Sequence, residues 1–255
     1  MSKNLSFETI LAQLTAGLEP LKYVQAMWEG GAASSGRRDA WSDIDLQIVV
    51  DDDCVEPAFQ ALESSLESLS PIDLKYELPQ PTWHGHAQAF YRLKDASPFL
   101  LLDLCIMKAS SVDKFLEPEI HGPAQVLFDK TGVTANIPPL DMDALSDRLK
   151  QRRQALRVTF DLFQVFITKE LNRGNPIEAM AYYQAYTLRP LVEVLNMRYR
   201  PARSNFYTRY VYSELPDEVA RRLEPLIFIR DQADLAEKHS QAGQWFHQEM
   251  DRFDA

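Results

Sequence analysis

The sequence predicts an α+β protein, with a mixed β-sheet in its first half and a bundle of α-helices in its second. Three observations predict it. Short apolar runs rich in β-branched residues recur up to residue 128, bounded by turn residues, as strands do. Helical patterns interrupt them only occasionally, so a regular βαβ repeat is not expected, and neither a G-x-G-x-x-G nor a Walker motif occurs. Beyond Asn136-Ile137-Pro138-Pro139 the β-branched clusters thin out and long helical periods take over. The expected division is residues 1–138 and 139–255.

Each element follows from local chemistry. Ser6 is placed to cap a helix over about 5–18, with Phe7, Ile10, Leu11 and Leu14 at helical spacing. Leu21 to Trp28 reads as a strand running into Gly30-Gly31, and Ile44 to Val50 as a second, buried strand. The tract Asp51-Asp52-Asp53 solvates that strand's end or caps the next helix. A calcium loop counted from Asp43 would need glycine at the sixth position and finds Ile48. Pro57 to Leu69 reads as a helix, and Ile72–Leu78, Ala87–Leu93, Phe99–Met107 and Gln125–Phe128 as strands. In the second half, Asp143 to Leu171 carries Leu145, Leu149, Leu156, Phe160, Phe163, Phe166 and Ile167 on one face and ends at Gly174. Asn175-Pro176-Ile177-Glu178 opens a helix to about Met197, with a kink expected at Arg189-Pro190. Leu215-Pro216-Asp217 opens another, and Asp231 to Arg252 forms the last.

Composition narrows the function classes. A hydrophobic fraction of 45% and a charged fraction of 25% are those of an ordinary globular chain. No apolar run reaches bilayer length, and Met1-Ser2-Lys3-Asn4 opens without the apolar core of a signal peptide, so no membrane partner is expected. Cys54 and Cys105 are too few for a disulfide framework, which fits a reduced, cytoplasmic protein. The net charge of −10 argues against a nucleic-acid partner and suits a cationic small molecule.

The residues that carry chemistry lie around the second strand. A small-residue turn, Gly30-Gly31-Ala32-Ala33-Ser34-Ser35-Gly36-Arg37, leads to Asp43 and Asp45 at the head of the apolar run. Residues two apart on a strand share a face, so the two carboxylates project together and repel. A divalent cation relieves that repulsion, because Mg2+ takes hard oxygen ligands from one or two carboxylates plus substrate phosphates. Gly30, Gly31 and Gly36 let backbone N–H groups approach such phosphates. Asp103 is a lone acid inside Phe99-Leu100-Leu101-Leu102-Asp103-Leu104-Cys105-Ile106-Met107, where burial without a partner or an ion costs several kcal/mol.

This pattern resembles the active-site signature of the DNA polymerase beta-like nucleotidyltransferases, in particular the small aminoglycoside and lincosamide nucleotidyltransferases. That family carries Gly-Ser, a few small residues, Gly, and Asp-x-Asp on a strand. The best register puts Gly31 and Gly36 on the glycines and Asp43 and Asp45 on the paired metal ligands, while the family serine falls on Ala32. Asp103 matches the third carboxylate, and Val126 to Gly132 the strand and turn that follow it. The resemblance implies Mg2+-dependent transfer of a nucleoside monophosphate, AMP from ATP, to a hydroxyl of a small-molecule acceptor, with two ions bridged by Asp43 and Asp45. It implies that Asp103 binds the ion nearer the acceptor and serves as general base, in a cleft between sheet and bundle.

Triphosphate binding falls, on this reading, to Gly30, Gly31, Ala32, Ser34, Ser35, Gly36 and Arg37, joined by Arg38, with Lys169 and Arg173 from the second domain. Ser42 reads as a turn residue, with phosphate binding the alternative. Glu170 and Glu178 are further acceptor-side bases to consider. Tyr182, Tyr183 and Tyr186 read as packing, with stacking on a ring the alternative. Trp83-His84-Gly85-His86 reads as a loop or hairpin, since no Cys or third clustered His completes a zinc set. Two rival functions remain: an antitoxin-type enzyme that nucleotidylates a protein hydroxyl, and a non-catalytic nucleotide-binding module, which the Ala32 departure favours.

Overall fold

In the computed structural model, which describes residues 5–137 and 139–254, the chain is α+β and divides into two compact units, Met1–Pro139 and Leu140–Ala255. Met1–Asn4 and Pro138 of the expected junction lie outside the described residues. The first unit holds strands β1 (Val24–Glu29), β2 (Ile44–Val50), β3 (Ile72–Glu77), β4 (Ala87–Leu93), β5 (Leu102–Lys108) and β6 (Gln125–Asp129). They form one mixed sheet in the order β3-β4-β5-β2-β1-β6, in which β2 and β5 are parallel and the other neighbours antiparallel. The helices of this unit are α1 (Phe7–Leu18), α2 (Gly31–Ser34), α3 (Val55–Glu67) and α4 (Pro118–His121).

The period-two pattern decides which face is dry. Ile44, Leu46, Ile48 and Val50 of β2 and Leu102, Leu104 and Ile106 of β5 face one side and pack with Ile10, Leu14 and Leu18 of α1 and Phe59, Leu62 and Leu66 of α3. Each such side chain contributes about 1.5–3 kcal/mol on burial. The opposite face has a smaller cluster of Ala26, Trp28, Val49, Cys105, Met107 and Leu116. That cluster covers the far ends of β2 and β5, while Asp43, Asp45 and Asp103 occupy the same face where these two strands begin. Strand β5 starts at Leu102, not at Phe99 as the apolar run suggested. A turn in which Leu100 N donates to Ser97 O, 3.0 Å, takes the preceding residues out of the sheet.

The second unit comprises α5 (Met142–Arg173), α6 (Pro176–Tyr182), α7 (Arg189–Tyr199), α8 (Val211–Glu214), α9 (Asp217–Ile227) and α10 (Gln232–Asp251). Asp141 caps α5 by accepting from Ala144 N, and Gly174 ends it in the left-handed conformation at φ 75°. Its core is built on Leu156, Phe160 and Ile167 of α5, Val194 and Leu195 of α7, and Trp245 and Phe246 of α10. Among the described residues no helix is long and apolar enough to cross a membrane.

The expected kink at Arg189-Pro190 takes a different form. Between α6 and α7, residues Tyr183–Leu188 form a π-helical segment, and the helix continues through it. Pro190 has no N–H for the carbonyl of Tyr186, four residues earlier. That carbonyl instead accepts from Gln164 Nε2 of α5 at 3.0 Å, and Gln164 Oε1 accepts from the Thr187 hydroxyl at 2.7 Å. The side chain of a neighbouring helix thus replaces the missing backbone donor. In this unit α8 and a 3-10 turn at Pro201–Phe206 escaped the sequence pattern, as α2 and α4 did in the first, all too brief to show a period.

Candidate active site

The parallel register of β2 and β5 places Asp45 directly beside Asp103. Neighbouring strands lie about 4.8 Å apart, so two carboxylates on one face at the same level are close neighbours. Backbone bonds pin the arrangement: Ile44 N donates to Leu101 O and Gly30 N to Asp45 O, each at 2.9 Å. Asp43 precedes β2 by one residue, is exposed, and its charge acts on Asp103. Burial, reinforced by the Asp43 charge, pushes the Asp103 carboxyl above the usual carboxylate range, while a hydrogen bond from Gln88 pulls the other way.

Gly31 is where this site leaves no room. Its φ is +56°, and a methyl group on it would lie 1.8 Å from Asp45 Oδ2 and 2.6 Å from Asp45 Cγ. The turn therefore presses its backbone against the carboxylate, which only glycine permits. Gly31→Ala is expected to cost about 1–2 kcal/mol in backbone strain. Turning Asp45 aside is also expected to weaken binding of a divalent cation at this site by about 10- to 100-fold. Chemical denaturation beside Mn2+ titration checks both; unchanged Mn2+ affinity in Gly31→Ala would show that the turn does not set the Asp45 carboxylate.

The remaining turn residues divide. Gly30 caps the short α2, Ala32 accepts from the N–H of Arg37 at 3.0 Å, and Gly36 takes φ +65° at the exposed end of the turn beside Ser35. Ser35 spends its hydroxyl on Ala32 O at 3.1 Å. Ser34, expected to offer a hydroxyl to phosphate, is buried, with Oγ 2.8 Å from Gly31 O and 2.9 Å from His121 O. It holds the turn to α4, where a side chain on Gly122 would meet it at 2.6 Å. Arg38 pairs with buried Glu29 and lies over the Phe7 ring, 5.4 Å from its centroid. Ser42 and Asp39 close a turn on each other: Asp39 N donates to Ser42 Oγ, which donates to Asp39 Oδ1, both at 2.9 Å.

Lys169 belongs to α5, in the second unit. There Glu170 accepts from Asn175 Nδ2 at 2.8 Å and pairs with Arg173, and Glu178 accepts from the Tyr182 hydroxyl at 3.0 Å. These three side chains are engaged at the ends of their own helices.

Three features were not anticipated. Gln47, on the Asp45 face of β2, has a buried Oε1 with no hydrogen-bond partner among the described residues, and a side chain on Gly30 would approach it to 3.1 Å. An unpartnered buried acceptor marks a site that an ion, water or ligand completes. Gln88 of β4 donates to Asp103 Oδ1 and is itself held by His84. Trp41 and Phe99, 68% and 59% exposed, meet edge to face at 4.8 Å, just upstream of Asp43 and Asp103 respectively.

The donor set suits a hard divalent cation: carboxylates from two adjacent strands and an orphan amide oxygen. It is not a finished cage, since among the described residues no group of three or more His, Cys, Asp or Glu is gathered to hold a metal by itself. Magnesium sites commonly have this form, completed by waters and substrate phosphates.

No protein-family model and no curated protein matches the chain. Among solved structures it is similar to an aminoglycoside 6-adenyltransferase from Bacillus subtilis, at 12% identity over 97% of this chain and 90% of that one, with a TM-score of 0.36. The fold rests on the sheet register and the residues described above.

Proposed function

We propose that this protein is a Mg2+-dependent nucleotidyltransferase that moves AMP from ATP to a hydroxyl of a small, cationic, aminoglycoside-like acceptor. The observation that carries the reading is the side-by-side placement of Asp45 and Asp103 on parallel β2 and β5, with Asp43 just ahead and the Gly31 turn closed onto Asp45. Carboxylates gathered on adjacent strands repel, and a divalent cation that takes oxygen ligands relieves that repulsion.

Asp43, Asp45 and Asp103 are the residues that would hold two magnesium ions, which when bound neutralise phosphate charge and polarise the reacting oxygens. Gly30, Gly31 and Ala32 offer backbone to the triphosphate, with Arg37 at the end of the turn as the charged partner. Ser34 drops out of this set because its hydroxyl is spent inside the fold. Asp103 takes the proton of the acceptor hydroxyl on Oδ2, the oxygen that Gln88 does not bind. The acceptor oxygen bonds to the α-phosphorus as the bond from that phosphorus to the bridging oxygen breaks, and pyrophosphate leaves. The acidic chain, at net charge −10, favours a cationic acceptor over a polyanion.

The test is incubation with Mg2+, each α-labelled nucleoside triphosphate and a panel of aminoglycosides, reading pyrophosphate release and labelled product. Acceptor-dependent, EDTA-sensitive labelling with ATP is expected. Labelling of a protein band instead would move the acceptor to polypeptides, and tight nucleotide binding without turnover on any acceptor would leave a binding module.

A further inference from the structure

The Asp103 carboxylate is gripped from the side by a short chain of hydrogen bonds whose polarity the backbone sets. Gly85, at φ +80°, folds the β3–β4 connection so that Gly85 N donates to Thr82 O at 3.1 Å. The N–H of His86 then points back at His84 and donates to Nδ1 at 3.2 Å. The Thr82 hydroxyl, 3.4 Å from the same nitrogen, spends its own proton on His86 O at 2.6 Å. A ring nitrogen that accepts from an amide carries no proton, so the neutral imidazole has its hydrogen on Nε2. Nε2 lies 3.0 Å from Gln88 Oε1. That bond settles which end of the Gln88 amide is oxygen, and the amide nitrogen is therefore the end that donates to Asp103 Oδ1. Phe115 packs edge-on against both rings, with centroids 5.7 Å from His84 and 4.9 Å from His86.

We propose that His84 and Gln88 are positioning residues: a relay from the β3–β4 turn that fixes the rotamer of Asp103 and commits Oδ1 to the protein, reserving Oδ2 for an ion or the acceptor proton. Neither side chain touches the reacting atoms. The inference rests on Asp103 being an ion-binding carboxylate, and it adds the reason that carboxylate holds one orientation before ion or substrate arrives. Partners behind a metal ligand typically change affinity or activity by about 10- to 100-fold when removed.

Mn2+ binding in the presence of α,β-methylene ATP, followed by electron paramagnetic resonance, tests it on five proteins: the parent, Asp103→Asn, Gln88→Met, His84→Ala and the double variant His84→Ala/Gln88→Met. Far-UV circular dichroism and melting confirm that each is folded. Gln88→Met, close in length but without the N–H, is expected to weaken Mn2+ about 10- to 100-fold, and His84→Ala several-fold, because Gln88 keeps its direct bond. Since His84 acts through Gln88, the double variant should be no weaker than Gln88→Met alone. Should Gln88→Met fail to fold, His84→Ala carries the test by itself.

Two results overturn the relay while Asp103→Asn still loses Mn2+: a Gln88→Met affinity within about twofold of the parent, or strictly additive losses in the double variant. Equal Mn2+ binding by the parent and Asp103→Asn instead removes the ion site at Asp103, and the relay's purpose with it. That outcome is read from Asp103→Asn alone, so the two failures are told apart.

Discussion

Asp103→Asn is expected to raise the melting temperature of the metal-free protein at neutral pH and, in the same molecule, to lower the proposed nucleotidyl transfer by about three orders of magnitude, the effect of several kcal/mol of lost charge stabilisation. The two signs have one cause. Burial raises the Asp103 carboxyl above its ordinary range, and the Asp43 charge adds to the shift, so the native protein holds that proton more tightly than the unfolded chain does. At a pH below the ordinary carboxylate range both states are protonated and no penalty exists. As pH rises from that range through the raised value, ionisation costs the folded state stability, and above it the full penalty remains. Asparagine carries no charge at any of these pH values, and its Oδ1 still accepts from Gln88. The melting-temperature gap between variant and parent should therefore be small in acid and open as the pH is raised in EDTA. For a chain of this size each kcal/mol reads as about 2–4 °C. Added Mg2+ with nucleotide should then reverse the order, because a ligand that binds only the native parent stabilises it by mass action. Scanning calorimetry across pH, with and without Mg2+, reads all of this; an Asp103→Asn protein that melts below its parent at pH 7 in EDTA would contradict it. Asp45→Asn should match the loss of activity.

What could be foreseen of this site was what period and residue type encode. Ile44, Leu46, Ile48 and Val50 announce a buried strand, and the spacing of Asp43 and Asp45 puts both on its other face. Register is a different kind of information. That Asp45 lies beside Asp103 depends on a parallel pairing made after a crossover through α3, β3 and β4, and nothing local to either strand specifies it. Ser34 shows the converse. A serine in a glycine-rich turn has the chemistry of a phosphate ligand, and its commitment to His121 O comes from a contact across 87 residues of sequence. Gln88 did leave a signal: it alternates with buried or half-buried Ala87, Ala89 and Tyr91, a polar residue on the face that also carries the carboxylates. His84 reads from the sequence as part of a loop or hairpin, and its bond to Gln88 has no sequence signature. In the second unit Pro190 predicted a disturbed helix, but the donor that repairs it, Gln164, is chosen by packing.

Arg200→Met is expected to destabilise the protein by about 3–5 kcal/mol, the usual cost of removing one partner from a buried ion pair. The Arg200 side chain is 6% exposed and Glu214, its partner at 2.8 Å, 12% exposed. Around it the guanidinium donates from Nε to Asn196 Oδ1 at 2.9 Å, from one terminal nitrogen to Arg209 O at 2.6 Å, and from the other to Tyr207 O at 2.9 Å. Those carbonyls belong to the segment between α7 and α8, where Tyr207 and Tyr210 hold positive φ values of 59° and 62°. Side chains of that bulk do not stay in the left-handed region unless something else fixes the backbone. Arg200 fixes it, with the planar five-donor fork that lysine lacks, so Arg200→Lys should recover only part of the loss. Glu214 also pairs with Arg203, and Asn196 donates to Tyr207 O at 3.0 Å, so the segment is held as one network and losses within it should not add. A control separates this from charge pairing in general: Arg152 makes a two-bond contact with Glu193 at 2.7 and 2.9 Å, yet is 50% exposed. Arg152→Ala should cost no more than about 1 kcal/mol. Urea unfolding with hydrogen exchange resolved over residues 140–254 measures both, and comparable losses for the two arginines would show that burial is not what gives Arg200 its weight.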